Sequence, residues 1–307
     1  MHERHARGLV YGASAYLIWG IFPVYWPLLE PAGSLEILAH RMLWTLVFVA
    51  LLLCVRPRPN WWSTLRRQPR SLAFLAVAAL VVTANWGTFI WAVNHGHVVE
   101  TALGYFINPL VTVLVGVVVL GERLNRAQWC ALAIAGLAVV VLTVDYGRPP
   151  WVAFALAFSF SAYALCKKQA NAGAVESLAV ETATVAPLAL GYLTYLEATD
   201  VATFGHAGWV NAALLAGTGV VTAIPLLLFG AAATRVTLTA IGLLQYIGPT
   251  LQFLIGVLVF REPMPPERLA GFAIVWVALV IFTWDGLRRR TRRDVTATTT
   301  QVEHAAR

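Results

Sequence analysis

The stretch LGYFINPLVTVLVGVVVLGERLNRAQWCALAIAGLAVVVLTVD, residues 103–145, recurs as LLQYIGPTLQFLIGVLVFREPMPPERLAGFAIVWVALVIFTWD at residues 243–285. The copies align at a constant offset of 140 without a gap. Aliphatic matches arise by chance in a chain this apolar, whereas matches at polar or backbone-special positions in one register rarely do. These informative matches are Pro109 with Pro249, Gly116 with Gly256, Glu122 with Glu262, Thr143 with Thr283 and Asp145 with Asp285. We therefore interpret the chain as an internal duplication.

The composition indicates that the chain folds in lipid. Hydrophobic residues make up 59% of the 307 positions and charged residues 12%, too few charges to cover a soluble surface of that size. A bilayer core of about 30 Å needs about 20 apolar helical residues. Long runs rich in Ala, Leu and Val favour an all-α membrane protein over a β-barrel, whose segments are short and alternating. The ten predicted spans are 9–29, 34–55, 71–94, 98–120, 127–144, 150–166, 176–196, 209–231, 236–260 and 267–285.

The basic residues predict the orientation. With the N-terminus inside, eighteen of the 22 Lys and Arg residues fall in cytoplasmic segments, three fall outside, and Arg41 lies within a span. The positive-inside rule then predicts that both termini are cytoplasmic. An odd number of helices per half makes the second repeat inverted. The predicted parts are a cytoplasmic N-terminus (1–8), a first five-helix repeat (9–145), a second five-helix repeat (146–286) and a basic, disordered cytoplasmic tail (287–307).

A polar stripe in each copy predicts where a substrate would bind. In the fourth span it comprises Thr101, Tyr105, Asn108 and Thr112, and the counterparts in the ninth span are Ile241, Gln245, Gly248 and Gln252. Helical spacing puts each stripe on one face, and polar groups in hydrocarbon turn toward other helices or a wet cavity. Hydrogen bonding between helices is one interpretation. A substrate cavity is the other, with Tyr105, Asn108, Gln245 and Gln252 as ligands.

Two further features accompany these stripes. Asn85 and Trp86 in the third span add an amide and an aromatic surface to the predicted cavity wall, although packing explains most membrane tryptophans equally well. Pro109 and Pro249 each remove a backbone hydrogen bond and bend a helix. The bend is compatible with a moving gate and with a static kink.

Arg41 is the most anomalous side chain, because an Arg at the centre of a span costs about 2.5 to 3.5 kcal/mol on insertion scales. Helix direction places it in the outer third of the membrane with Glu36 and His40, at the depth of Glu100. We expect an Arg41–Glu100 pair that acts as a structural latch or binds a substrate anion.

Glu181 lies near the cytoplasmic end of the seventh span, and either Lys167 or Lys168 reaches it from the preceding segment. A membrane carboxylate is also a candidate for carrying coupling protons.

The sequence argues against several other classes of protein. The net charge of +7 suits anionic lipid rather than nucleic acid. Three isolated cysteines, and His95 and His97 without further ligands, indicate neither a disulfide framework nor a metal site. Lys167 and Lys168 follow no Gly-rich loop, so there is no Walker A motif for ATP. We expect no cofactor and no enzyme activity, and the sequence is compatible with a homodimer without deciding the oligomeric state.

Four strings resemble a known family: SAYLIWG (14–20), EILAHR (36–41), NHGHVVE (94–100) and LGYFINP (103–109), continuing into GERL (121–124). They are similar to the RarD branch of the EamA-type drug/metabolite transporters, and the resemblance covers residues 9–286. It implies ten helices in two EamA repeats, a bacterial inner-membrane location and permease activity toward a small molecule.

The resulting hypothesis is a secondary transporter of a small metabolite or drug-like solute that works by alternating access, with Arg41, Glu100, His40 and Glu181 in gating or coupling. A channel or lipid scramblase is the first alternative. A lipid-modifying enzyme using Arg41, His40 and Glu100, and a structural or sensory protein of transporter ancestry, are the others.

Overall fold

A computed structural model describes residues 2–57, 59–121, 124–233, 235–236 and 238–305, and within those ranges the regular structure is helical without a strand. Its helices are α1 (His2–Tyr25) with a 3-10 turn (Trp26–Leu29), α2 (Ser34–Val55), α3 (Trp61–Leu65), α4 (Pro69–Asn94), α5 (Val98–Leu120), α6 (Arg126–Tyr146), α7 (Trp151–Ala170), α8 (Ala174–Ala198), α9 (Trp209–Ala233), α10 (Leu238–Leu244), α11 (Ile247–Leu254) with a π-helical turn (Ile255–Val259), and α12 (Pro266–Ala305).

Eight of the described helical segments are long and apolar enough to cross a membrane. They lie in α1, α2, α4, α5, α6, α8, α9 and the Pro266–Asp285 part of α12. The helix α7, which corresponds to the sixth predicted span, is not among them and ends with Lys167 and Lys168 in its last turn. This arrangement is that of a multi-pass membrane protein.

The ninth predicted span, 236–260, is broken rather than continuous. It forms α10, a turn at Gln245 and Tyr246, α11 and the π-helical turn. Pro249 has no N–H to donate to the carbonyl of Gln245 and its ring crowds that carbonyl, so the helix is interrupted four residues earlier. Pro109, at the same position of the first copy, stays inside the continuous α5.

The last helix continues past the tenth predicted span, 267–285. The helix α12 extends to Ala305 and so includes most of residues 287–307. That segment contains no Pro or Gly to end a helix.

The offset of 140 extends over much more of the chain than the sequence match. Four pairs of helices begin 140 residues apart, at residues 34 and 174, 69 and 209, 98 and 238, and 126 and 266. Residues with a left-handed backbone recur likewise, at Asn60 and Asp200 and at Gly121 and Arg261. The glycine suits that conformation, whereas its counterpart Arg261, at φ 53°, carries the steric cost of a Cβ there.

Residues group into two compact units, the first formed by Met1–Asn108 with Trp151–Pro263. In this unit α2 packs on α8, α4 packs on α7 and α8, and α9 packs on α1 and α2. Replacing each helix by its counterpart 140 residues away turns the α4–α7 contact into the α9–α1 contact and the α2–α9 contact into the α8–α4 contact. The packing therefore has the same twofold pattern as the helix starts.

The second unit comprises Pro109–Pro150 with Met264–Arg307. Within it α6 packs antiparallel on α12. The end of α6 contacts the start of α12, and the start of α6 contacts a residue further along α12. Asp145, at the end of α6, accepts a hydrogen bond from Nε of Arg268 at 2.7 Å. Asn125, which caps the start of α6, donates to Asp285 at 2.6 Å. The two acceptors are a matched pair of the repeat.

Candidate functional site

Arg41 lies in α2 with only 2% of its surface exposed. Its Nε donates a hydrogen bond to the Thr222 hydroxyl at 2.9 Å, while Nη1 is buried without a hydrogen-bond partner. Aromatic rings surround the guanidinium, whose carbon lies 3.8 Å from the ring centroid of Trp86, 5.1 Å from that of Trp26 and 5.7 Å from that of Phe22. Cation–π attraction to these rings stabilises the charge in a desolvated position.

The predicted Arg41–Glu100 pair is wrong. Glu100 lies in the first turn of α5 and accepts a hydrogen bond from the backbone N–H of Val152 at 3.0 Å. Val152 is the second residue of α7, where backbone N–H groups have no partner within their own helix. The short Glu100 side chain satisfies that neighbouring helix end, and Arg41 contacts the neutral Thr222 instead.

The structure brings together three of the predicted substrate-binding residues. Asn85 donates to the carbonyl of Leu156 at 3.0 Å and to the hydroxyl of Ser159 at 2.8 Å, both on α7. The hydroxyl of Tyr105 lies 3.5 Å from the amide oxygen of Asn85. These contacts join α4, α5 and α7 into one polar network.

Asn108 makes a further polar contact between α5 and α7 about one turn away, where its amide oxygen accepts from the Ser161 hydroxyl at 3.1 Å. The close approach of α5 and α7 requires a glycine at position 104, because a Cβ on Gly104 would lie 2.9 Å from the carbonyl oxygen of Ala153. Of the other stripe members, Thr101 bonds its own helix at Val98 and Thr112 is exposed. The stripe is therefore divided, and Tyr105 and Asn108 are the members that contact neighbouring helices.

The two glutamines of the second copy lie apart from this network. Gln252 is 4% exposed and donates to the carbonyl of Trp19 at 3.3 Å, while its amide oxygen is buried without a hydrogen-bond partner. Gln245 occupies the turn between α10 and α11 and is half-buried. No hydrogen bond between described residues joins either glutamine to Tyr105 or Asn108.

Glu181 forms the other buried charged site. Lys167 donates to its carboxylate at 2.8 Å, Ser177 at 2.8 Å and Tyr163 at 3.1 Å, and Lys167 also bonds Ser177. The prediction that Lys167 or Lys168 reaches Glu181 is confirmed for Lys167. Glu181 is the counterpart of Arg41 at the offset of 140, so the two copies place opposite charges at one position of packed helices.

His40 and Glu36 border a pocket of about 280 Å³ beside α2 and α8. Glu36 accepts from the backbone N–H of Thr203 at 2.8 Å and from its hydroxyl at 3.0 Å. The ring of His40 stacks on Phe204 with centroids 4.7 Å apart. These contacts tie the start of α2 to the loop that follows α8.

Known proteins resemble this chain along most of its length. The sequence profile of the EamA-like transporter family matches residues 6–144. Protein RarD of Streptomyces exfoliatus is 56% identical over 292 residues, which cover 94% of this chain and 93% of that protein. The chain belongs to the RarD branch of the EamA-like transporter family. It is accordingly a membrane transporter of the drug/metabolite type.

Other members are similar over the same length. Protein RarD of Escherichia coli (strain K12) is 39% identical, covering 94% of this chain and 98% of that protein. The uncharacterized transporter YojE of Bacillus subtilis (strain 168) is 41% identical, covering 94% and 97%. One solved crystal structure superposes with a TM-score of 0.58 at 17% identity, covering 89% of this chain and 96% of that chain. That likeness shows a shared fold.

Sequence reasoning missed several partners in this EamA transporter. Nothing in the sequence indicates that Thr222 and Phe22 contact Arg41, because only the tertiary structure brings them together. Glu262 is different, since the sequence singles it out as the match of Glu122 in the repeat. Its carboxylate accepts from the backbone N–H groups of Val98 at 2.5 Å and Val99 at 2.9 Å and so caps α5. The repeat match alone does not indicate that Glu262 caps another helix.

Proposed function

We propose that this chain is a secondary transporter that moves a small metabolite or drug-like solute across the bacterial inner membrane by alternating access. The observation that carries the proposal is the exchange of helix contacts at the offset of 140 in the first unit. Two equivalent halves give a fold two packings of similar energy, which alternating access needs, and transporters of this plan bind substrate near the midplane between repeats.

Inversion of the halves is supported by the second unit. Helices α6 and α12 are repeat counterparts, and they pack antiparallel through Asp145 and Asp285. Five helices per half, ten in all, also make the second half enter the membrane from the opposite side. Both termini then lie in the cytoplasm, in agreement with the positive-inside rule. In this proposal α7 and the broken segment 238–259 complete the ten.

Polar and aromatic residues of α4 and α5 are the proposed substrate ligands in the first half. Tyr105, Asn108, Asn85 and Trp86 present hydroxyl, amide and indole groups on adjoining helices. Gln252 and Gln245 would contribute from the second half, where the broken helix at Pro249 leaves backbone groups free to rearrange. Pro109 is the matching flexible point of α5, and Glu181 with Lys167 is the proposed inner coupling group.

Reconstitution of the purified protein in liposomes tests the proposal. Saturable counterflow of a labelled solute is expected, because an alternating carrier exchanges substrate without a driving gradient. Tyr105→Phe, Asn108→Ala and Gln245→Ala are each expected to abolish it. Tyr195→Phe is the matched control, because Tyr195 is 60% exposed on α8. Flux that neither saturates nor exchanges would favour the channel or scramblase instead, and full counterflow in the Tyr105, Asn108 and Gln245 variants would contradict the site.

A further inference from the structure

The site around Arg41 contains more hydrogen-bond donors than acceptors. The Nη1 of Arg41 and the indole Nε1 of Trp26 are both buried without a hydrogen-bond partner, as is the hydroxyl of Thr45, one turn further along α2. Arg41 takes part in none of the ion pairs between described residues, and its single hydrogen bond is to the neutral Thr222. Buried polar groups in native proteins are normally bonded, so these groups require an acceptor from outside the chain.

The surroundings of Arg41 favour a partner that carries negative charge. A guanidinium that is 2% exposed and faces only a hydroxyl and aromatic rings keeps a full uncompensated charge in a low-dielectric setting. Bonds between a guanidinium and a carboxylate are about twice as strong as neutral ones. The counterpart position illustrates the contrast, because Glu181 receives Lys167, Ser177 and Tyr163 from the chain itself.

We propose that Arg41 binds the carboxylate of the transported solute, and that this solute is an amphipathic organic monocarboxylate. The inference rests on the proposed transport function and names its substrate class. A single guanidinium neutralises a single negative charge, which disfavours a phosphate dianion. The rings of Trp86, Trp26 and Phe22 provide apolar surface for the body of such a solute.

A binding experiment on the purified full-length protein tests the charge class. Benzoate, phenylacetate and indole-3-acetate are each compared with their uncharged primary amide, and benzylamine and phenyl phosphate are included as a cation and a dianion. Thermal stabilisation over a concentration series measures apparent affinity. Each carboxylate that binds is expected to do so about 10- to 100-fold more tightly than its amide, the range of a charge-assisted bond.

Variants in α2 test whether Arg41 causes the preference for carboxylates over amides. Arg41→Gln is expected to erase the difference between carboxylate and amide, and Arg41→Lys to retain part of it because the charge remains. Arg56→Gln is the matched control, since Arg56 lies at the exposed end of the same helix. If Arg41→Gln fails to fold, the comparison in the unaltered protein and in Arg41→Lys still decides the question.

Equal or tighter binding of the amides, the amine or the phosphate by the unaltered protein would overturn the proposal, as would a carboxylate preference that survives in Arg41→Gln. Counterflow of the same panel in proteoliposomes separates the two levels of inference. Saturable exchange of amides or amines, but not of carboxylates, rejects the substrate class and leaves the transport function standing. Carboxylate binding without any exchange rejects the transport function itself.

Discussion

At the scale of single residues, the two buried charges at equivalent positions have opposite surroundings. Glu181 is 3% exposed and receives three side-chain donors, whereas Arg41 is 2% exposed and contacts one hydroxyl and three aromatic rings. A satisfied buried ion pair behaves as a structural unit, because removing one partner leaves the other charge uncompensated. A buried charge without an ionic partner is available to a charged group from outside the chain. This difference favours recognition of an outside partner at Arg41, whereas the Glu181–Lys167 pair, the proposed coupling group, also stabilises the packing of α7 and α8.

The Glu181 site makes a testable prediction about stability. Lys167→Met leaves Glu181 buried without its cation, so the free energy of unfolding in detergent should fall by about 3 kcal/mol. Lys167→Met with Glu181→Gln should cost less than the sum of the single variants, which a double-mutant cycle of denaturant midpoints measures. Glu197→Gln is the control, because its partner His206 and Glu197 itself are mostly exposed. A strictly additive cycle would contradict the coupling.

The carboxylate of Glu262 leads to a second prediction. Glu262→Ala removes the acceptor of two N–H groups at the start of α5 and should destabilise the protein by about 1 to 2 kcal/mol. Glu262→Gln should cost less, because the amide oxygen still accepts one bond. Thermal unfolding of both variants beside Glu267→Ala, an exposed acid in the first turn of α12, measures the order. Equal losses in all three would show that the cap is not formed.

At the scale of elements, close packing and helix continuity depend on single positions in the repeat. The helices α5 and α10–α11 start at corresponding residues and contain corresponding prolines, yet only the second is broken. Its proline follows Gly248, where the first copy has Asn108, and glycine lowers helix stability by about 1 kcal/mol relative to alanine. The added weakness explains why the helix continues through Pro109 but is interrupted before Pro249.

The contact between α9 and α2 yields a third prediction. A Cβ at Gly219 would overlap the backbone carbonyl of Trp44, whereas a Cβ at Gly230 on the same helix would meet nothing within 4 Å. Gly219→Ala should therefore destabilise the protein by about 1 to 3 kcal/mol. Gly230→Ala should be neutral or stabilising because alanine favours the helix. Guanidinium unfolding of the pair measures the difference, and similar midpoints would indicate that the helices do not approach so closely.

At the scale of the whole molecule, the duplication relates elements far beyond the recognisable sequence match. Helix starts, left-handed turns and packing partners all repeat at the offset of 140, although residues 34–94 and 174–233 share little obvious identity. Helix packing depends on the size and spacing of side chains rather than on their identity. The architecture of a duplicated bundle therefore outlasts its sequence similarity.

Inversion of the copies predicts opposite labelling of equivalent loops. In a cysteine-free background, Arg67→Cys and Ala207→Cys are exposed positions 140 residues apart. A membrane-impermeant thiol reagent should label Ala207→Cys in intact cells and Arg67→Cys only after permeabilisation, because the proposed topology puts the first loop in the cytoplasm and the second outside. Labelling of both from the same side would contradict the inversion.

Much of the architecture follows from patterns along the chain. Runs of apolar residues predicted the helices, with eight meeting the length and hydropathy of a span, since lipid requires every backbone group to be bonded within its own segment. Proximity along the chain made the Lys167–Glu181 pair predictable as well. The Arg41–Glu100 pair failed because depth in the membrane alone cannot specify which neighbour a side chain faces.

The sequence by itself determined that this is a duplicated helical membrane protein and which of its charges are exceptional. Periodicity, apolar length and fixed-register matches are local properties, and hydrocarbon leaves few ways to satisfy them. Only the tertiary structure decided that Thr222 and three aromatic rings surround Arg41, that Tyr105 and Asn108 bond to partners from α4 and α7, and that Glu262 caps α5. Those contacts join residues distant in the chain, and they depend on how helices rotate and pack against one another, which local pattern does not encode.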